Sequence, residues 1–183
     1  MKDRMSRLGW AAMGALVLAG GCASLPRDIA RGVVKRWAAP SADIGQWLLD
    51  EYGLPDDVTL NRLTWDRRGP WKRTVVWNKT PIYRSTADLA VMQQTVDYRL
   101  SLKQAADLLA FNDGLEIDLA RGELSSRARQ EEINYLALNL ADEIARGRKT
   151  VPQAQAAYAR VVELTAAGKS SPYTGGLLFS PGG

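Results

Sequence analysis

The feature that most constrains this chain is a short apolar segment that ends at its single cysteine. Residues 8–21, LGWAAMGALVLAGG, carry no charged side chain, and three basic residues precede them. A helix needs about 20 apolar residues to cross the roughly 30 Å hydrocarbon core of a bilayer, and this segment has 14. A basic start, a short apolar run and small residues at its end are typical of a secretory signal peptide. We therefore expect residues 1–21 to be a leader that is removed, with the mature chain starting at Cys22.

The residues at the end of this segment carry a resemblance. Leu18-Ala19-Gly20-Gly21-Cys22 is similar to the lipobox of bacterial lipoproteins, which implies palmitate-type acylation of Cys22 and cleavage immediately before it. The following residue, Ala23, implies by the same resemblance the outer membrane of a Gram-negative cell, with the protein facing the periplasm. The surface of a Gram-positive cell is the alternative. The expected partner of the anchor is the lipid bilayer, reached through Cys22.

Composition excludes several kinds of chemistry. The chain has no histidine and one cysteine, which rules out a Ser-His-Asp triad, a Cys-His pair, a histidine-ligated metal and an intrachain disulfide. We expect no metal and no cofactor. Residues 1–21 hold three bases and one acid, so the rest of the chain has 21 Lys and Arg residues against 19 Asp and Glu. This near balance, together with the export signal, argues against nucleic acid as a partner.

Residues 22–40 predict a lipidated N-terminus followed by a basic helix. Ile29, Val33 and Trp37 recur at helical spacing, with four bases between positions 27 and 36. Such a helix beside an acylated cysteine can lie on an anionic leaflet. The other interpretation, which we favour because charged runs are usually solvated, is a helix that docks on the domain through Trp37.

The sequence predicts one α+β domain over residues 41–168: a small antiparallel sheet with several helices packed on it and a helical C-terminal half. We expect a helix from 41 to 52 with Ser41 as N-cap. We also expect a longer helix from 129 to 146 that buries one apolar face, formed by Ile133, Leu136, Leu140 and Ile144. Two capping-box patterns, Ser101-x-x-Gln104 and Thr150-x-x-Gln153, mark two further helix starts. Strands are expected at 60–66, 71–78, 95–100, 115–119 and 123–126. Residues 169–183 form a tail rich in Gly and Pro.

One strand suggests a ligand site. Trp71, Arg73 and Trp77 alternate with other residues, so in a regular strand they share one face. Two aromatic rings beside a guanidinium can bind sugar rings or anionic lipid headgroups. The alternative, which we favour, is that these tryptophans belong to the core.

Acidic residues offer a weaker candidate for catalysis. A hydrolase without histidine needs paired carboxylates or a Ser-Lys arrangement, and nothing in the spacing of the local acids singles out an acid and a base. Glu131 and Glu132 begin a predicted helix, where carboxylates stabilise the positive end of the dipole. The acids in this group are Glu116, Asp118, Glu123, Glu131 and Glu132.

Three classes of function follow from these observations. The leading expectation is a membrane-anchored envelope lipoprotein that acts as a non-catalytic interaction or assembly module with a protein partner in the envelope. The alternatives are a glycan- or anionic-lipid-binding module built on the Trp-rich strand, and a carboxylate-dependent hydrolase. The blocks GPWKRTVV, EEINYLALNLADEI and SPYTGGLL resemble uncharacterised bacterial proteins, a resemblance that implies a shared fold and no activity.

Overall fold

A computed structural model describes residues 25–79 and 90–182. The expected leader, residues 1–21, and the expected acylation site Cys22 lie outside the described residues. Within the two described ranges, no helix is long and apolar enough to cross a bilayer.

The described chain forms an antiparallel sheet with helices, which confirms the α+β prediction. Its elements are α1 Leu25–Val34, α2 Ser41–Glu51, β1 Asp57–Val58, β2 Arg62–Arg68, β3 Trp71–Trp77, β4 Met92–Asp97, α3 Leu102–Phe111, β5 Leu115–Asp118, β6 Glu123–Ala128, α4 Glu131–Ala145 and α5 Val151–Ala166. A single turn of 3-10 helix at Pro172–Thr174 follows α5. The six strands pair in the spatial order β1-β2-β3-β4-β6-β5, and every neighbouring pair is antiparallel.

Two helix starts follow the predicted chemistry. In α3 the Ser101 hydroxyl accepts from the Gln104 backbone N–H while the Gln104 side chain accepts from the Ser101 N–H, and Thr150 and Gln153 repeat the arrangement at α5. Each capping box satisfies two backbone donors that the first helical turn leaves unpaired.

The start of α2 differs from the prediction. Pro40 occupies the N-cap position and Ser41 is the first helical residue. The Ser41 hydroxyl accepts from the backbone N–H of Lys79 at 3.1 Å, so it joins the helix to the segment after β3. The prediction of Ser41 as N-cap was therefore wrong, because a contact 38 residues along the chain uses the hydroxyl.

The fourth strand begins and ends earlier than predicted. It runs from Met92 to Asp97, and Asp97 pairs with Glu123, the first residue of β6. Beyond Asp97 only the Tyr98 N–H continues the pairing, by donating to the Gly122 oxygen at 2.7 Å. The chain then enters the cap of α3 instead of continuing as a strand to Leu100.

The helices bury alternate residues of the sheet in two apolar clusters. The α2 cluster contains residues of α1, α2 and strands β2 to β4, among them Leu48, Leu63, Trp65 and Met92. The α4 cluster joins α3, α4 and α5 to strand residues such as Val96 and Leu124. Because side chains alternate along a strand, the buried residues Leu63, Trp65, Val76, Met92, Val96 and Leu124 mark the helix-bearing face.

The opposite set of alternating residues is largely polar, with Val75 and Trp77 as its apolar members on β3. Thr95 and Ser125 are buried, and the Thr95 Oγ1 and Ser125 Oγ atoms lie 2.9 Å apart in a hydrogen bond. Longer side chains on the same face pair with one another, so most polar groups of this face are satisfied within the sheet. These pairs are Arg73 with Glu123 at 2.8 Å and Gln93 with Glu116 at 2.8 Å.

Candidate functional site

The most concentrated polar arrangement on the helix-bearing face surrounds Glu131, the first residue of α4. Its Oε1 atom accepts from the Tyr52 hydroxyl, from Trp71 Nε1 at 2.5 Å and from Gln94 Nε2 at 2.6 Å. Gln94 Oε1 in turn accepts from Asn134 Nδ2 at 2.9 Å. We call these five residues the Glu131 cluster. The cluster connects the end of α2, the starts of β3 and α4, and the middle of β4.

The donors of this cluster are neutral groups. Burial, and next the hydrogen bond to Glu131, raise the pKa of Tyr52 well above its usual value. Burial and the charges of Glu131 and Glu132 raise the pKa of Tyr135, which stacks on Trp71, to about 12. Both phenols therefore keep their protons near neutral pH. Glu131 is held by uncharged donors, and its contacts bring the two apolar clusters together, since Tyr52 packs against both.

A surface groove lies next to the Glu131 cluster, between α2 and the start of α4. It encloses about 310 Å³, and an adjacent recess of about 320 Å³ shares much of its lining. The Trp47 side chain is 42% exposed there, and its ring centroid lies 6.2 Å from that of Tyr52. The groove thus presents the Trp47 ring, which packs against Tyr52 of the Glu131 cluster. Its lining residues are Asp43, Ile44, Trp47, Arg129, Gln130, Glu131 and Glu132.

Trp71 does not share an open face with Arg73 and Trp77. Its side chain is buried, stacks on Tyr135 of α4 with ring centroids 4.8 Å apart, and donates to Glu131. The strand is therefore not used as one regular face at this end, and a common face for the three residues was a wrong prediction. Our preference for Trp71 as a core residue agrees with its burial.

Arg73 and Trp77 are occupied on the polar face of the sheet. Arg73 forms an ion pair with Glu123 at 2.8 Å. The Trp77 ring has the Arg127 guanidinium 5.0 Å and the Lys79 ammonium 5.9 Å from its centroid. Such cation–π contacts use the ring surface that a sugar would stack on.

The acids that the sequence offered for catalysis are spread over different structural roles. Glu123 is buried and binds Lys72 and Arg73, and Glu116 pairs with Arg127. Burial alone would raise the pKa of Glu123, but hydrogen bonds from Lys72 and Arg73 outweigh it and lower the pKa below its usual range. Asp118 holds the β5–β6 turn by accepting from the Arg121 N–H at 2.9 Å. Among the described residues, no three acidic or cysteine side chains gather as a metal would require.

The sequence marked Glu131 as a helix-dipole residue and as one of five candidate catalytic acids, but it did not predict the hydrogen-bond partners of Glu131. Gln94 and Asn134 are fully buried, and each stands at a position that the periodicity of its strand or helix assigns to the core. A polar amide at a core position needs a hydrogen-bond partner. The core positions of both amides could be read from the sequence. The sequence could not show that Gln94, Tyr52 and Trp71 share one acceptor, Glu131.

Comparison with known proteins does not extend this description. No protein-family model, curated protein or solved structure matches the chain. The fold defines the class as an α+β domain with a six-stranded antiparallel sheet. Its function is therefore inferred from the residues of this chain alone.

Proposed function

We propose that the protein is a membrane-anchored envelope lipoprotein whose folded domain is a non-catalytic interaction module. The anchor is the acylated Cys22, expected from the lipobox resemblance. The protein partner binds at the groove between α2 and α4. The placement is in the outer membrane facing the periplasm, with the Gram-positive surface as the alternative.

The observation that carries this proposal is the exposure of Trp47 beside a rigid support. Exposed tryptophan is enriched at the centre of protein interfaces, where it supplies large contact area with few rotatable bonds. Here the ring sits over the groove next to Ile44, while Tyr52 and Glu131 hold the wall behind it. A preformed aromatic surface loses little conformational entropy when a partner binds.

The bonding of the carboxylates favours binding over hydrolysis. Glu131, which lines the groove, already accepts three protein donors at one oxygen, and Glu123 is taken by two cations on the polar sheet face. A general acid or base must be within reach of a substrate proton. These two carboxylates are instead committed to contacts that hold the fold.

Site-specific photocrosslinking in living cells tests the proposal. A photoreactive phenylalanine replaces Trp47 in the full chain, and the matched control carries it at Leu102, which is 78% exposed at the start of α3. Gln104 of α3 contacts Ala145 at the far end of α4 from the groove, about 21 Å away at 1.5 Å per helical residue. We expect a discrete protein adduct from position 47 and none from position 102.

Two results contradict the interaction module. Adducts of the same mass and yield from both positions would indicate random collision, and the absence of any adduct at 47 would remove the groove as the binding site. Membrane fractionation of the same cells tests the acyl anchor separately. Loss of the acyl group releases the protein from the membrane fraction whether or not a partner binds at the groove.

A further inference from the structure

The N-terminal helix begins very close to the expected lipid anchor. Cys22 and Leu25, the first residue of α1, are three residues apart, and each residue spans at most about 3.6 Å. The start of α1 therefore lies within roughly 11 Å of the acylated residue. This argument rests on the proposed acylation of Cys22.

The helix α1 is fixed to the domain. Ala30, Val34 and Trp37 are buried in the α2 cluster, and Arg31 forms a 2.9 Å ion pair with Asp50 of α2. A Cβ added to Gly45 of α2 would lie 3.1 Å from a Val34 methyl, which shows how closely the two helices approach. An anchor that leads directly into a docked helix holds the domain near the bilayer in a restricted orientation.

The turn between β1 and β2 lies beside the end of α1. Trp37 Nε1 donates to the backbone oxygen of Leu60 at 2.8 Å, and the Thr59 N–H donates to the Arg62 oxygen at 2.8 Å to close the turn. The Leu60 side chain at its tip is 72% exposed. An apolar side chain is thus presented to the outside on a backbone that a buried indole keeps in place.

The solvent-exposed side of α1 carries an apolar side chain and two bases. Ile29 is 60% exposed, and Lys35 and Arg36 follow directly after the last helical residue. Both bases are exposed, and neither forms a salt bridge among the described residues. Arg31 is neutralised by Asp50, and Asp28 is the exposed acid of this segment. The free charge of residues 28–37 is therefore one positive unit, and both bases directly precede Trp37, whose indole binds the turn at Leu60.

From this arrangement we infer that the outer side of α1 and the β1–β2 turn contact the surface of an anionic bilayer. Leu60 and Ile29 enter the interfacial region, where apolar side chains are stabilised, and Lys35 and Arg36 face the lipid phosphates. The bilayer is the occupant that chain length places within reach, because the acyl anchor enters it about 11 Å or less from α1. We call this area the α1 face.

Depth measurement on the full, lipidated protein tests the inference. Once Cys22 is acylated, a cysteine introduced by Leu60→Cys is the only free thiol, so a nitroxide label can be placed there alone. The protein is inserted into vesicles that contain phosphatidylglycerol. Power saturation then compares collisions with oxygen, which concentrates in lipid, and with a nickel chelate, which stays in water. Leu102→Cys provides the matched exposed position on α3.

The expected result is a higher oxygen-to-nickel ratio at position 60 than at position 102, with the difference lost in the double variant Lys35→Glu, Arg36→Glu. The double variant Arg160→Glu, Lys169→Glu, at exposed bases near the end of α5, changes net charge by the same four units and should leave the difference unchanged. Thermal melting of each variant verifies that these exposed substitutions keep the fold.

Several results would overturn the inference. Equal ratios at positions 60 and 102 would place the α1 face in water, and a difference that survives in the double variant would remove the role of the bases. Label-to-label broadening at position 60 that grows with protein density would assign the face to a second copy of the chain. A Cys22 that still reacts with maleimide would refute the proposed acylation and this inference with it, whereas an acylated Cys22 with a water-exposed position 60 refutes this inference alone.

Discussion

The two apolar clusters share one sheet face but are closed in different ways. The α2 cluster is sealed by indoles that donate to backbone oxygens, Trp37 to Leu60 and Trp65 to Gly53 at 3.1 Å. The α4 cluster is sealed by three helices and by the C-terminal tail. Asn139 holds that tail: its amide donates to the Gly176 oxygen at 2.8 Å.

The α4 region and the α2 region therefore have different roles: the first mainly stabilises the fold, and the second carries both proposed contact surfaces. Tail residues Tyr173, Leu177 and Phe179 pack on the α4 cluster, and this region exposes single leucines such as Leu102. The α2 region instead exposes Trp47 beside a groove and carries Leu60 and the α1 face. Both proposed contacts, the groove and the bilayer surface, therefore involve the α2 region. The α4 region supplies most of the buried apolar residues that stabilise the fold.

The largest expected effect comes from emptying either cluster. Leu140 and Leu48 are both fully buried, and Leu→Ala at such sites costs about 2–5 kcal/mol of unfolding free energy. If the Glu131 cluster joins the two regions into one cooperative unit, Leu140→Ala and Leu48→Ala each shift a single transition, measured by urea unfolding with tryptophan fluorescence and circular dichroism. Two separate transitions in either variant would show that the α2 and α4 regions unfold independently. Ile133→Ala, at a half-buried position of the same helix, should cost less than Leu140→Ala.

The second expected effect concerns the connection itself. Glu131→Ala leaves the donors of Tyr52, Trp71 and Gln94 without their acceptor, and each buried unsatisfied group costs about 1–3 kcal/mol. Solvent can enter from the groove, so we expect a total loss of about 3 kcal/mol. Glu132→Ala, at the exposed neighbouring position, is the matched control and should stay within about 0.5 kcal/mol of wild type. Equal effects of the two variants would show that Glu131 acts only through the helix dipole.

A smaller effect is expected from pH within the α4 region. Burial alone would raise the pKa of Asp142, but hydrogen bonds from Arg146, Tyr98 and Arg148 outweigh it and hold the pKa below its usual range. A carboxyl with a lowered folded-state pKa stabilises the protein above its unfolded pKa, about 3.9. This stability is lost as pH falls through the lower, folded value.

Asp142→Asn should therefore be less stable than wild type at pH 7 and should lose less stability between about pH 5 and pH 2. Urea unfolding at several pH values measures both quantities. A variant whose stability declines with acid as steeply as that of wild type would show that Asp142 does not contribute to the acid sensitivity.

The smallest effect belongs to the exposed pair that joins α1 to α2. Arg31 and Asp50 are 2.9 Å apart, with side-chain exposures of 40% and 55%, and exposed ion pairs contribute roughly 0.2–1 kcal/mol. A double-mutant cycle with Arg31→Ala and Asp50→Ala should give a coupling energy in this range that decreases at high salt. A coupling above 2 kcal/mol would mean that α1 is held by charge more than by Val34 and Trp37.

Local chemistry in the sequence predicted much of the fold. The capping boxes at Ser101 and Thr150 identified α3 and α5 because both partners lie within four residues. The long apolar face of α4 was also recognised: Leu136, Leu140 and Ile144 are buried as expected, while Ile133 is only partly buried.

The site depended on contacts that no local pattern contains. Trp71 turns towards Glu131, 60 residues further along the chain, and Gln94 meets Asn134 across 40 residues. Period-two alternation predicts one face for Trp71 and Arg73 because it assumes a regular strand. It takes no account of α4, which packs against Trp71. The sequence therefore indicated which residue types could form a site, but only the packing of α2 and α4 on the sheet brought them together.

The acyl anchor on Cys22 is the central element of the functional proposal, and intact mass spectrometry of the protein purified from bacterial membranes tests it most directly. We predict a mature chain that starts at Cys22 and carries the added mass of acyl chains. In the Cys22→Ala variant we predict the full 183-residue precursor without that added mass. A wild-type mature chain with an unmodified Cys22, or a wild-type chain that keeps residues 1–21, would contradict the account.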